Sequence, residues 1–206
     1  MDDASASDCS DRYNRIHLIE EQKRAAEEID LPSVLRSAGQ ILLQHGAHLN
    51  FGISLVHRHQ DLAPNCAMIH SYDTPGSDTC HMERLVDVQI FPQAYHLDRD
   101  GFLPYEYSFD PTHIPEAPML DELAALLRRE HASQLVGLFH IKELGAPWLE
   151  RLSSRGDGTT ATRLSQGKTL SSENIVTEWI VCVNGSCADL VAYKACEDTV
   201  AGHKRT

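Results

Sequence analysis

The sequence lacks the features that direct a chain to a membrane or to another compartment. No apolar run approaches the roughly 20 residues of a membrane-spanning helix. The segment from Met1 to Asp8 has no basic region followed by an apolar core, and it is too acidic for a mitochondrial presequence. Positive charge is scarce, because 18 Lys and Arg stand against 30 Asp and Glu, a formal net charge of −12. We therefore expect a cytoplasmic protein whose partners include neither nucleic acid nor membrane.

Several common catalytic and cofactor motifs are missing as well. The chain has no Gly-rich phosphate loop, no dinucleotide-binding fingerprint and no Gly-x-Ser-x-Gly nucleophile motif. Its six cysteines are scattered, and in a reducing compartment such cysteines are mostly free thiols. The sequence therefore directs attention to other residue types, above all to histidine.

The length and composition predict one globular domain. The chain has 206 residues, of which 42% are hydrophobic and 23% charged, enough to bury a core without disulfides. We expect residues 1–10 to be a disordered N-terminus, 11–198 a single α+β domain and 199–206 a frayed tail.

The hydrophobic periodicity predicts helices first and strands afterwards. Helices are expected at 11–29, at 31–46 and at 119–133. Strands are expected at 53–60, 66–72, 84–91, 93–98, 102–109, 135–142, near 159–164, and at 174–183 and 186–196. Short turns join most neighbouring strands, which indicates a mainly antiparallel, curved or barrel-like sheet. Two N-terminal helices and one internal helix would pack against it.

The strongest local signal is the dipeptide Asn184-Gly185 between two of these strands, which favours a two-residue hairpin turn. That register places Cys182 opposite Cys187 and Trp179 opposite Leu190. The two cysteines would then either pack as thiols or form a disulfide if oxidised.

Histidine is unusually frequent, with 12 copies, and the sharpest arrangement is His57-Arg58-His59. Residues two apart on a strand point to the same face, so His57 and His59 would share a face with Ile53 and Leu55. Two imidazoles on one face can reach one metal ion or act as acid and base.

Further ligands for such a metal are His70 and Glu178. Two histidines with a carboxylate suit Fe(II), and three histidines suit zinc. His140 shares its predicted strand face with apolar residues and is a third candidate catalytic residue beside His57 and His59.

Aromatic residues provide candidate walls for a ligand. Tyr105 and Tyr107 are two apart on one strand and would present one aromatic face, either as core or as the wall of a pocket. Tyr72 and Trp179 are the other candidate ligand-binding residues.

Together these features predict a small enzyme that acts on a mostly apolar organic molecule in a histidine-lined cavity, with iron or zinc held by the His-x-His pair. The chemistry would be that of a metal-dependent oxygenase, a lyase or an isomerase. Two alternatives stay open: a metal-free cyclase or isomerase that uses histidine, and a non-enzymatic binding module. Exposed strand edges would also allow a homodimer.

Overall fold

The computed structural model describes residues 6–72, 76–144, 147–152, 158–165, 168, 170–171, 174–184 and 187–197. Its helices are α1 (Ala6–Tyr13), α2 (Ile19–Ala26), α3 (Leu31–Gln44) and α4 (Ala117–Arg129), with one 3-10 turn at Ala47–Leu49. Its strands are β1 (Phe51–Leu55), β2 (Cys66–Ser71), β3 (Ser77–Arg84), β4 (Phe91–Asp98), β5 (Gly101–Ser108), β6 (Val136–His140), β7 (Trp148–Leu152), β8 (Gly158–Arg163), β9 (Ile175–Asn184) and β10 (Cys187–Cys196).

The ten strands form one closed barrel. Their order around it is β1-β6-β4-β5-β2-β3-β8-β7-β10-β9, and β9 pairs back onto β1. The neighbouring strands are antiparallel except in the pairs β2/β5 and β7/β10, which are parallel. The prediction of an α+β fold with a mainly antiparallel, barrel-like sheet is confirmed.

Helices α2, α3 and α4 cover one outer side of the barrel. Asp30 caps α3 by accepting a hydrogen bond from the Ser33 backbone amide, and Gly46 ends this region with a φ of 65°. The buried face of α3 packs on the outward side chains of β1, which include Ile53 and Leu55. Burying these apolar faces together stabilises the helix layer on the barrel.

The barrel interior holds a second core. Its members include Met68, Phe139, Ile180 and Tyr193, together with Tyr13 at the end of α1. Inward positions alternate with outward ones along each strand, so the polar residues of the candidate site share this interior with apolar side chains.

The N-terminal helices differ from the prediction. The expected helix at 11–29 is two helices, α1 and α2, so three helices precede the barrel rather than two. Residues 6–10, expected to be disordered, are helical. The break arises because Leu18 forms an isolated parallel bridge with Arg58, a long-range contact that helical periodicity cannot show. The predicted tail at 199–206 lies outside the described residues.

Two strand predictions are also wrong, and β3 was not predicted as a strand. A strand was expected at 84–91, but β3 ends at Arg84 and β4 begins at Phe91. Between them Val86 is 62% exposed and Asp87 has a φ of 50°, so this apolar alternation does not form a strand. The strand expected at 53–60 ends at Leu55. Strand β7 was not predicted at all.

The register of the last hairpin is shifted from the expected one. Asn184 pairs with Cys187, and Cys182 pairs with Asp189 rather than with Cys187. Trp179 likewise pairs with Ala192. Asn184 is therefore part of the ladder instead of the turn, and the partner of each residue moves by two positions, which keeps every side chain on its face.

None of the helices in the described part of the chain combines the length and the hydropathy that crossing a bilayer requires.

Candidate metal centre and adjacent cavity

Four potential metal ligands meet inside the barrel. They are His57, His59, Glu150 and Cys196, and one ligand atom from each lies within 4.8 Å of the other three. The histidines follow β1, Glu150 is on β7 and Cys196 ends β10. The side chains of His59 and Glu150 are only 4% and 8% exposed, so the group is shielded from solvent.

The four side chains already contact one another. The Cys196 thiol donates a hydrogen bond to Glu150 Oε2 at 3.0 Å, and His57 Nε2 lies 3.5 Å from Cys196 Sγ. His59 Nε2 is 3.5 Å from Glu150 Oε2. The rings of His57 and His59 meet edge-on, with centroids 4.7 Å apart.

Arg58 explains how two histidines outside a strand still converge. Its backbone amide donates to His17 O at 3.0 Å, its Nε donates to Ile16 O at 2.6 Å, and its guanidinium pairs with Asp61. These contacts fasten Arg58 to the segment between α1 and α2. In extended chain the residues on either side of it point the opposite way, here into the barrel.

Two outer contacts fix the orientation of the donors. His57 Nδ1 is 2.7 Å from Leu55 O, and because a carbonyl oxygen only accepts, Nδ1 carries the proton. The lone pair of Nε2 then faces the donor group. Glu150 Oε1 accepts a hydrogen bond from Thr159 Oγ1 at 2.7 Å. Metal-binding histidines and carboxylates in proteins are held in this way by their neighbours.

Burial and mutual contact set the charges of the four groups. Burial, with His59 beside it, lowers the pKa of His57 to about 4, so this imidazole is neutral. Burial opposes ionisation of Glu150, but His59 holds the pKa of its carboxyl well below the usual range. Burial and the nearby Glu150 raise the pKa of the Cys196 thiol.

A second group of buried side chains, a network of charged residues, lies next to the four donors inside the barrel. His70 places Nδ1 2.9 Å from Asp78 Oδ1 and Nε2 3.1 Å from Glu106 Oε2. Burial opposes protonation of His70, but the adjacent Asp78 carboxylate raises its pKa well above the usual value. Lys194 Nζ lies 3.4 Å from Asp78 Oδ2 and 3.1 Å from Glu178 Oε1.

This network borders a small cavity of about 20 Å³ that is open to solvent. Its wall contains the charged residues His70, Asp78, Glu106, Lys142, Glu178 and Lys194, and also Tyr72, Gln93, Ala94, Phe139, His140, Trp148 and Tyr193. Trp148 precedes Glu150 by two residues on β7, and Lys194 precedes Cys196 by two on β10. The cavity and the four-donor group are therefore neighbouring levels of one interior.

The other predicted ligands separate from the His57/His59 pair. His70 belongs to a second group with Cys80 and Glu106, whose ligand atoms also lie within 4.8 Å of one another. Glu178 pairs with Lys194 and belongs to neither group within the described residues. Glu150 and Cys196 were not predicted as ligands. No local spacing signals them, because the closed barrel alone brings β7 and β10 to His57 and His59.

His140 stands apart from the four donors. Its ring packs edge-on against Phe51, with centroids 6.0 Å apart, and lies 5.4 Å from the ring of His113. Neither of its ring nitrogens has a hydrogen-bond partner among the described residues. Burial, with His113 and Lys142 nearby, lowers its pKa to about 4.

This environment predicts a pH-dependent effect of His140→Leu. The folded state lowers the pKa of His140 from 6.5 to about 4, so in that window the unfolded state binds more protons and stability falls as the pH falls. Leucine removes this penalty. We expect the free energy of unfolding of the variant, compared with wild type, to be about 1–2 kcal/mol higher at pH 5 than at pH 8. Urea unfolding at both pH values measures this, and an equal difference at both contradicts it.

The four candidate ligand-binding aromatics occupy four different environments. Tyr72 lines the cavity, whereas Trp179 packs against the helix-side core. The prediction that Tyr105 and Tyr107 share one face is wrong. The pairing of β4 with β5 shifts register around Ala94 and Tyr95, which is a bulge. Tyr105 therefore joins the interior core, and Tyr107 packs outside the barrel in the cluster that contains Cys9.

Comparison of the chain with protein families, curated proteins and solved structures finds no match. Groups of His, Cys and Glu are positioned to hold a metal ion, and a charged cavity lies beside them.

Proposed function

We propose that this protein is a zinc-dependent enzyme that holds its metal with His57, His59, Glu150 and Cys196. Its substrate is a small polar molecule admitted by the adjacent cavity. The observation that carries the proposal is the convergence of four donor atoms within 4.8 Å from three separate parts of the barrel. The charged lining of the cavity favours a polar substrate over the mostly apolar one that the sequence suggests.

The donor set favours zinc over iron. Zinc accepts imidazole, carboxylate and thiolate together, and in proteins it is bound by three or four such side chains. Iron(II) in oxygenases uses two histidines and a carboxylate, so the thiol of Cys196 is the residue that shifts the balance. A bound zinc ion supplies Lewis-acid chemistry, which polarises a carbonyl group or activates water.

The protein's own residues prepare this site before any metal binds. Leu55 fixes the tautomer of His57, and Thr159 orients Glu150, so two donors need no rearrangement. Cys196 gives up its thiol proton on coordination, since only the thiolate is a ligand. A catalytic zinc site keeps one position for water or substrate. His57, His59, Glu150 and the thiolate of Cys196 would hold the ion, and substrate or water would have to join or replace one of these ligands.

A second candidate is a metal-free enzyme whose acid or base is in the cavity. Burial raises the pKa of Glu178 to about 7, although Lys194 opposes the shift. A carboxyl group that titrates near neutrality suits proton transfer. The cavity wall also does not include any of the four donors.

Turnover after metal removal separates the two candidates. The protein is assayed against a panel of small esters and amides as zinc-loaded, chelator-treated and zinc-restored samples. We expect turnover to disappear on chelation, to return with zinc, and to fall at least about 100-fold in Glu150→Gln. Glu197→Gln, on the exterior, is the matched control. Turnover that survives chelation rejects the zinc enzyme and supports the metal-free one.

A further inference from the structure

Two buried oxygen atoms in the cavity wall have no hydrogen-bond donor within the described residues. Gln93 is only 5% exposed, and its Nε2 donates to His140 O at 2.7 Å, but its Oε1 has no partner. Glu178 Oε1 accepts from Lys194 Nζ, but Oε2 has no partner. A buried acceptor without a hydrogen-bond donor destabilises the folded state, so a ligand that supplies donors is favoured.

The charges of the network leave an excess of negative charge. When Glu178 is ionised, three carboxylates (Asp78, Glu106 and Glu178) face two cations, His70 and Lys194. Each of these cations is already shared between two carboxylates. The nearby Lys142 is itself paired with Asp110 at 2.7 Å. In a low-dielectric interior this arrangement attracts one more positive charge and repels an anion.

We propose that the cavity binds a small organic ammonium ion, a primary amine, through Gln93 Oε1 and Glu178 Oε2. An ammonium group carries three donors and no acceptor, which matches the two unpaired acceptor oxygens of Gln93 and Glu178. The aromatic side chains of Tyr72, Phe139 and Tyr193 in the same wall suit the hydrocarbon part of such a ligand. This inference rests on the proposed function in one respect, because it names the class of substrate that the cavity would present to the metal.

The ionisation of Glu178 agrees with this assignment. Burial raises its pKa to about 7, Lys194 and His70 lower it, and Glu150 raises it further. The charged and titratable groups around it are Lys194 on β10, Glu150 on β7, His70 on β2, Asp78 on β3, and the phenols of Tyr72, Tyr105 and Tyr193. An ammonium ion stabilises the ionised form of Glu178. The affinity of the cavity for the ammonium ion therefore rises as the pH is raised through neutrality.

Calorimetric titration with three matched probes tests the inference on the full chain. The probes are benzylammonium, benzyl alcohol and benzoate, which share one ring and differ in charge. We expect saturable binding of benzylammonium only, tighter at pH 8 than at pH 6. Glu178→Gln should weaken it about 10- to 100-fold and remove the pH dependence. Gln93→Met should weaken it with the pH dependence retained, and Glu197→Gln should leave it unchanged.

Benzyl alcohol or benzoate that binds as tightly as benzylammonium overturns the inference, as does the absence of saturable benzylammonium binding. An unchanged affinity in Glu178→Gln overturns it as well. The same titration in His57→Ala/His59→Ala keeps the two proposals apart. Amine binding that persists in this variant supports the ligand class whatever the outcome for zinc. A wild-type protein that binds zinc but shows no saturable amine binding rejects the ligand class alone.

Discussion

Replacing His57 and His59 together by alanine is expected to reduce bound zinc from about one equivalent to none, because two of the four donors are lost. Neither Glu150 nor Cys196 can hold the ion alone, since a carboxylate and one thiolate fill half of a tetrahedral site. Zinc at this site would bind only the folded state, in which β7, β10 and the segment after β1 are brought together. Its binding energy would therefore add to the stability of the fold.

The thermal effect should be large and easily measured. A ligand present at 100 times its Kd stabilises the folded state by about 2.7 kcal/mol. For a domain of this size that corresponds to a rise in Tm of about 5–10 °C. We expect this rise in wild type and none in the double variant, measured by calorimetry with elemental analysis of the same samples.

His17→Ala/His81→Ala is the matched control for that experiment. It also removes two histidines, but their side chains are 53% and 33% exposed and lie outside both donor groups. The control should bind zinc and gain stability as wild type does. The assigned site is falsified if the His57→Ala/His59→Ala variant retains zinc, or if zinc raises its Tm as much as it raises that of wild type.

Gly137→Ala is expected to destabilise the protein by about 3 kcal/mol or more. Gly137 is on β6, between β1 and β4, and a methyl group there would collide with the carbonyl oxygen of Tyr95. It would also lie 2.6 Å from Val56 Cγ2 and 3.1 Å from Ser54 Oγ. The carbonyl is backbone of the paired strand, so it cannot move aside without disturbing the β4/β6 ladder.

Gly46→Ala provides the comparison, since nothing lies within 4 Å of the added methyl group. Its cost comes only from the φ of 65° and should be about 1 kcal/mol. Urea unfolding of both variants gives the difference. Equal losses of stability in the two variants would mean that the structure relaxes around residue 137. That result would contradict the close packing described for this strand.

The sequence predicts those parts of the fold that depend on local pattern. Helix α3 follows from the Asp30 cap, the apolar spacing and Gly46, and the antiparallel barrel follows from the many short turns. The break at Leu18 and the end of β1 at Leu55 depend on contacts with distant residues. The bulge in β4/β5 is likewise set by strand pairing, so alternation alone placed Tyr107 on the wrong face.

Two of the four residues of the candidate site could be predicted from the sequence. The His57-Arg58-His59 pattern identified two donors, because a spacing of two is visible in one segment of chain. Glu150 and Cys196 carry no such signal. They reach the histidines only when β7 and β10 lie side by side in the closed barrel. Glu178 was expected as a ligand, and in the structure its partner is Lys194 on the neighbouring strand.

Titration of the metal-free protein with cobalt(II), followed by absorption spectroscopy, tests most directly whether these four side chains bind one metal. Cobalt replaces zinc in such sites, and its spectrum reports both tetrahedral geometry and thiolate ligation. We expect the intense visible bands of a tetrahedral site and a thiolate-to-cobalt band, both saturating at one equivalent. Cys196→Ser should lose only the thiolate band. A weak, octahedral spectrum without saturation in wild type would contradict the proposed metal centre.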